Sequence, residues 1–246
     1  MAGHNKWSKV KHIKAKEDAK KGKTFSKFSH EITIAARDGG GDPDLNPRLR
    51  TAVEGAKAVS MPKDGIERAI KKGTGELGGE AIQEMTYEGY GPGGIALIVE
   101  VATDNTNRSA NDIRSTFTKH GGSIATPGSV SYQFDRKGEI KLAASDGGED
   151  EILLAALEAG AEDVHSDPDG HVVLTGPTEL NTVAAALRDA GYAPQSERLV
   201  SLPQNPTVIG DVGAAKQALH LFEVLDDYPD TMNVFVNFEI ADDVLV

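Results

Sequence analysis

Apolar residues recur at helical spacing through the first third of the chain and at strand spacing beyond it. The change falls near a glycine-rich run, Gly73-Thr74-Gly75-Glu76-Leu77-Gly78-Gly79. Ahead of it, Phe25, Phe28, Ile32 and Ala36 share one helical face, with Thr24 as the expected N-cap. The run Asp38-Gly39-Gly40-Gly41-Asp42-Pro43 should end that helix. Asn46-Pro47 reads as an N-cap followed by proline in the first helical position, and Leu49, Val53 and Ala56 make the second stripe. Met61-Pro62 opens a third helix, with Ile66 and Ile70 facing inward, Lys71 and Lys72 in its last turn and Gly73 as its stop. A bundle of about three helices is therefore expected over residues 24–73. The segment before it, Met1 to about Lys23, has only Val10 and Ile13 as aliphatic residues beyond alanine and methionine. It should be mobile or weakly helical when free.

Beyond residue 79 the pattern predicts extended segments at Met85–Tyr90 and Ile95–Val101, a helix at Asn107–Lys119 and an alternating strand at Val130–Phe134. A full cycle follows: strand Glu139–Leu142, helix Glu149–Ala159, strands near Glu162–His165 and His171–Leu174, helix Glu179–Ala190 and strand Gln195–Leu202. That order is βαββαβ, the split-βαβ or ferredoxin-like motif. The tail adds a helix, Val212–Leu225, and a strand, Asn233–Phe238. Joined to residues 85–134, these complete a second βαββαβ-like set. The expected fold is α+β and multidomain: an N-terminal three-helix domain followed by two ferredoxin-like α/β domains, one inserted in the other. The expected boundaries are 1–78 for the basic arm and helical domain, 79–134 with 206–246 for a discontinuous α/β domain, and 135–205 for the insert.

Charge sharpens this picture. The chain has 246 residues and a net charge of −12, but residues 1–72 hold 17 Lys and Arg against 9 Asp and Glu, a net of +8, and the remainder 9 against 29, a net of −20. Such asymmetry points to a polyanion-binding arm on an acidic body that would repel phosphates. Within the first thirty residues Lys6, Lys9, Lys11, Lys14, Lys16, Lys20, Lys21, Lys23 and Lys27 face only two acids, a net of +7. Lysines at this density bind phosphates by displacing condensed counterions. Lysine suits backbone contact and reads bases poorly, while Trp7 offers a face on which an unpaired base could stack. The alternative is a solvated tail that aids solubility.

Other chemistry is thin. The chain has no cysteine, which fits a reducing compartment and excludes thiolate nucleophiles and Cys-based zinc sites. The spacings of His4, His12 and His30 match no zinc pattern. Gly89-Tyr90-Gly91-Pro92-Gly93-Gly94 satisfies G-x-G-x-x-G, but a strand rather than a helix follows, so a rigid turn is expected there. Lys21-Gly22-Lys23-Thr24 lacks the first glycine of a P-loop. Asp146, Glu149, Asp150 and Glu151, and later Asp226, Asp227 and Asp230, could bind a cation or a basic partner, but read best as helix N-terminal charges or exposed loops. No catalytic triad order stands out. No apolar run approaches the roughly 20 residues that span a membrane, and the N-terminus lacks a signal-peptide core. A cytoplasmic non-enzyme is expected, without cofactor, metal, membrane or small-molecule substrate.

Several segments resemble one family in combination. They are Met1-Ala2-Gly3-His4-Asn5-Lys6-Trp7, Lys11-His12, Asp18-Ala19-Lys20-Lys21-Gly22-Lys23, Met61 to Gly73, Tyr87 to Gly94, Thr103-Asp104-Asn105 with Asn107-Arg108, Lys119-His120-Gly121-Gly122, and Asn237-Phe238-Glu239-Ile240. Together they resemble the YebC family of probable transcriptional regulatory proteins. That resemblance implies a helical N-terminal domain plus two α/β domains, and a cytoplasmic role in gene expression without catalysis. Two roles are attached to the family: DNA-binding transcriptional regulation, and translational activation on the ribosome, shared with a mitochondrial activator of cytochrome oxidase synthesis. The partner implied is DNA or ribosomal RNA. Thr106 stands where relatives often carry a basic residue, which weakens any phosphate contact from that helix start, and Ser60 stands where an amide is common.

Overall fold

The computed structural model describes residues 17–78 and 80–240, with side chains from Gly22 onward. Three helices open the described chain: α1 Glu17–Gly39, α2 Pro47–Ala58 and α3 Lys63–Gly73. Their apolar stripes meet in one core of Ile32, Ala35, Ala36, Leu49, Ala52, Val53, Ala56, Ile66 and Ala69, with Phe28, Met61 and Ile70 at its edge. Asn46 caps α2 as its sequence predicts, accepting from the Leu49 amide at 3.1 Å. Its side-chain amide also donates to the Ala35 and Gly40 carbonyls, at 2.8 and 2.9 Å. One buried residue thus joins the end of α1 to the start of α2.

Two helix limits differ from expectation. Thr24 lies well inside α1 and is not its cap. The neighbouring Ser26 hydroxyl donates back to the Gly22 carbonyl at 3.2 Å, so a hydroxyl here continues the helix rather than starting it. Gly73 is the last helical residue of α3, with Thr74 as the C-cap, and the left-handed residue is Gly75, φ 83°. Gly73 is needed for closeness: a Cβ there would strike the Thr33 carbonyl oxygen and lie 2.7 Å from the Ala36 Cβ. It lets α3 rest on the backbone of α1.

The next sheet joins β1 Gln83–Tyr90, β2 Ala96–Thr103, β3 Ser123–Ala125 and β9 Thr231–Val236 in the order β3-β1-β2-β9, with every neighbour antiparallel. Helices α4 Thr106–Lys119 and α7 Val212–Asp227 pack against this sheet and each other. The segment Gly91-Pro92-Gly93-Gly94 is the turn of the β1–β2 hairpin, with Gly93 and Gly94 both at positive φ, as its proline and following strand imply. The expected strand Val130–Phe134 does not form; residues 131–133 make a short 3-10 turn and Phe134 begins the next strand. The cause is Glu88. Its carboxylate accepts the amides of Gly128 and Val130 at 2.7 Å each and of Ser131 at 3.1 Å, occupying the donors a ladder would need. Val130 is buried and Tyr132 exposed, so burial alternates here without a strand.

This set therefore runs β1β2α4β3 and then α7β9, opening on a hairpin, and is not a second βαββαβ. Two further strands, β8 Thr207–Ile209 and β10 Phe238–Ile240, pair in a small sheet of their own; β8 is too short to carry an alternation signal.

Residues 134–203 follow the predicted cycle: β4 Phe134–Ala143, α5 Glu149–Glu158, β5 Asp163–Asp167, β6 Gly170–Thr175, α6 Leu180–Asp189 and β7 Ser196–Pro203. The order β5-β6-β4-β7, all antiparallel, is that of the split-βαβ motif. Its core pairs Ile140, Leu142 and Val173 with Ile152, Ala156, Val183, Ala184 and Leu187. The described chain is thus mixed α/β, with seven α-helices and antiparallel sheets. Of its residues, 17–131 with 208–240 form one compact unit and 132–207 the other.

Candidate nucleic-acid interface

Helix α1 carries two working faces. One enters the three-helix core. The other presents Lys23, Lys27, His30, Ile34 and Arg37, spaced three to four residues apart, to the hairpin sheet and α7. Lys23 Nζ donates to Asp226 at 2.6 Å and to Asp227 at 2.9 Å, and Lys27 Nζ donates to Asp226 at 3.0 Å. Burial would raise the Asp226 carboxyl, but Lys27 and Lys23 together hold it below its ordinary value. Further along, Ile34 packs with Ile82, Ala102 and Met232. Arg37 then closes the stripe on the Ile82 carbonyl at 2.6 Å and on Glu84 at 3.3 Å.

His30 sits on the same stripe, facing Asp230, Lys72, Asp104 and Arg108. Burial lowers its pKa by more than Asp230 raises it, so the ring is neutral at physiological pH. Its Nδ1 is buried without a hydrogen-bond partner among the described residues. Asp230 is the hub of this cluster, accepting from Ser109 Oγ at 2.7 Å, Arg108 Nη2 at 2.8 Å and Thr103 Oγ1 at 2.9 Å. These donors keep it ionised against burial. Lys72 reaches Asp104 at 3.2 Å, tying α3 to the end of β2. Arg108, in the first turn of α4, is turned into this cluster, its pKa raised first by its hydrogen bond to Asp230. The start of α4 therefore offers its guanidinium to carboxylates.

The sequence-predicted contact residues divide three ways. Lys6, Trp7, Lys9, Lys11, Lys14 and Lys16 lie outside the described residues, as do His4 and His12. Lys20 and Lys21 lie on α1, with side chains outside the described set. Lys23 and Lys27 are brought together one turn apart, engaged by carboxylates. The reading of Asp226, Asp227 and Asp230 as helix N-terminal charges or exposed loops is corrected. Asp226 and Asp227 close the C-terminal end of α7 on two lysines, and Asp230 is 7% exposed among four hydroxyl and guanidinium donors. Local sequence cannot show this, since the partners lie over a hundred residues away. Glu149, Asp150 and Glu151 do sit in the first turn of α5, and Asp146, in the 3-10 turn before it, accepts the Ala143 amide at 2.9 Å. Sequence reading passed over Lys57 and took Lys71 only as a helix-end charge, not as a contact residue. Both are exposed near helix C-termini and pair with no carboxylate among the described residues; their helix-end placement was the available signal.

Comparison with known proteins covers both parts of this arrangement. Residues 5–76 match the TACO1/YebC protein N-terminal domain, and residues 82–238 the TACO1/YebC second and third domain. The chain is similar to a probable transcriptional regulatory protein of Akkermansia muciniphila, with 63% identity over all of this chain and 98% of the relative. One from Fusobacterium nucleatum is 49% identical over 100% of this chain and 98% of its own length. The crystal structure of a conserved hypothetical protein from Aquifex aeolicus superposes with a TM-score of 0.88 at 45% identity, covering 98% of this chain and 99% of that one. With two domain matches end to end and near-full-length relatives at this identity, the chain belongs to the TACO1/YebC family.

Proposed function

We propose that this protein is a cytoplasmic nucleic-acid-binding regulator of gene expression, a DNA-binding transcriptional regulator that works without catalysis, cofactor or small-molecule substrate. The observation that carries the reading is the charge segregation: +8 over residues 1–72 against −20 over the rest. The split-βαβ unit, residues 132–207, adds to it with 5 basic and 14 acidic residues. A phosphate backbone is repelled there and drawn to the lysine-rich start. The names of the relatives, probable transcriptional regulatory proteins, support the regulatory role. Among the described residues no helix is long and apolar enough to cross a membrane.

One observation favours a second reading, a ribosome-associated translational activator bound to ribosomal RNA. The first thirty residues hold nine lysines and no arginine. Lysine contacts the backbone as a point charge and lacks the fork that reads guanine, so this surface suits structured RNA as well as DNA.

Replacing Lys9, Lys11, Lys14 and Lys16 by Glu tests the common core of both readings. Binding to labelled duplex DNA and to ribosomal RNA should be abolished with the circular dichroism spectrum unchanged. Wild-type affinity should fall by several decades between low and moderate salt if roughly five to nine phosphates are neutralised. Unchanged affinity in the variant refutes the function. Sedimentation of extract at low and moderate salt then separates the two readings: recovery with ribosomes favours translation, and selective recovery of promoter DNA favours transcription.

A further inference from the structure

We infer that the acidic end of α7 is a built-in competitor for the polyanion: Asp226 and Asp227 hold Lys23 and Lys27 until a phosphate backbone displaces them. The inference rests on the proposed binding role of the N-terminal lysines and adds a regulation of that site.

The carboxylates are in an unfavourable place on their own helix. The C-terminus of a helix carries partial negative charge and favours cations, yet α7 ends on two aspartates and has no basic residue in its last turn. The compensating cations come from α1. Lys23 and Lys27 stand one turn apart, and Asp226 bridges them with one oxygen to each, Oδ2 at 2.6 Å from Lys23 and Oδ1 at 3.0 Å from Lys27. Asp227 adds a third contact at 2.9 Å. A carboxylate and a phosphodiester oxygen ask the same thing of an ammonium, a short charge-assisted hydrogen bond. The aspartates therefore stand where phosphate oxygens would.

Geometry also makes the exchange feasible. The Asp227 side chain is 65% exposed and Lys23 and Lys27 are each about a quarter exposed or less, so a polyanion can approach from the solvent side. The rest of the seam does not depend on these pairs. Ile34 remains packed on Ile82, Ala102 and Met232, and Arg37 remains bound to the Ile82 carbonyl. Displacement would release the end of α7 from α1 while the two segments stay joined. By reciprocity, whatever weakens the Asp226 contacts strengthens polyanion binding, and the converse.

The test compares binding of labelled mixed-sequence single-stranded RNA and duplex DNA to the full-length wild type, to D226N/D227N, to K23Q/K27Q and to the combined variant. D226N/D227N should bind about threefold to tenfold tighter, the range expected for removing partly exposed ion pairs. Its salt dependence should steepen, since each further lysine on a phosphate adds about 0.9 to the slope. In the K23Q/K27Q background the gain should vanish. Equal affinity of wild type and D226N/D227N overturns the inference, and so does a gain that persists without the two lysines, which would be a long-range charge effect. If the double aspartate variant fails to fold by circular dichroism, the exposed single change D227N replaces it, with a gain of about twofold expected on the same basis. Wild-type binding that ignores Lys9, Lys11, Lys14 and Lys16 refutes the proposed function instead, whereas wild-type binding with no aspartate effect leaves that function standing and removes only the competitor.

Discussion

Truncating Asp230 should be among the most damaging single changes in the molecule. Thr103 and Ser109 are fully buried, and their hydroxyls converge on one Asp230 oxygen at 2.9 and 2.7 Å together with Arg108 at 2.8 Å. Asp230→Ala removes the acceptor shared by these three donors and by the Tyr228 hydroxyl at 3.4 Å, which keeps Asp112 as a second acceptor. Arg108 is about half exposed, so water takes over much of its loss, and the Ser109 hydroxyl can still donate to Thr103 at 2.8 Å. The uncompensated remainder is the loss of charge-assisted bonds in a buried site, about 3–5 kcal/mol. Asp230→Asn keeps the shape and one acceptor, and should cost about 2 kcal/mol. Asp230 is raised by burial and lowered further by Arg108, Ser109 and Thr103, so its net pKa is depressed. Its stabilisation is therefore complete above the unfolded value of about 3.9 and is lost as pH falls toward the folded one. The wild type should lose stability in that acid window, and Asp230→Asn should lose less. Urea unfolding followed by circular dichroism gives the cost, and hydrogen exchange of the α4 amides assigns it to this unit. A value below about 1 kcal/mol for Asp230→Ala would show that the cluster is solvated and that its hydrogen bonds add little.

Glu88→Gln should cost about 2–4 kcal/mol, because an amide turns its NH2 toward some of the three backbone donors that the carboxylate accepts. Burial raises the Glu88 carboxyl, but the Val130, Gly128 and Ser131 amides bring it below its ordinary value. The wild type thus loses this contribution as pH falls below about 4.3, a loss the variant should lack in urea titrations from neutral to acid pH. Gly73→Ala should destabilise by about 1–3 kcal/mol by pushing α3 off the Thr33 carbonyl; a midpoint in urea equal to wild type would show that the helices separate freely.

Much of the architecture was legible because it is local. The stripes of α2 and α3, the Asn46-Pro47 start and the cycle from β4 to β7 follow from periodicity and caps, and appear within a few residues of their expected limits, except that β4 begins at Phe134 rather than Glu139. Two of the errors share one cause, a partner remote in sequence. At Val130 a remote carboxylate takes the amides a strand would use. Along α1, Lys23, Lys27, His30, Ile34 and Arg37 repeat at helical spacing, but a mixed stripe of charges and one isoleucine does not register as a buried face. Its meaning depends on Asp226, Asp230 and Ile82, which chain folding alone brings near. The same holds for the site: a lysine count identifies a cationic segment and cannot show which of its lysines already have carboxylate partners.

That second face of α1 sets how the helical bundle and the hairpin sheet are joined. An apolar seam would bind them through area alone, with little to fix the angle. Here a small patch around Ile34 is flanked by paired charges, Lys23 and Lys27 toward one end and Arg37 toward the other. Exposed pairs of this kind add little net stability, yet a slip of one residue along α1 would carry each cation off its acceptor. Salt then acts unevenly along the seam. It screens the Lys23 contact to the exposed Asp227, and reaches the buried Asp230 cluster far less. Rising ionic strength therefore weakens the hold of α7 on the lysines while leaving the register intact, and it weakens phosphate binding over the same range. The two effects oppose each other at Lys23 and Lys27 alone, so the remaining lysines should dominate the salt dependence of wild-type binding.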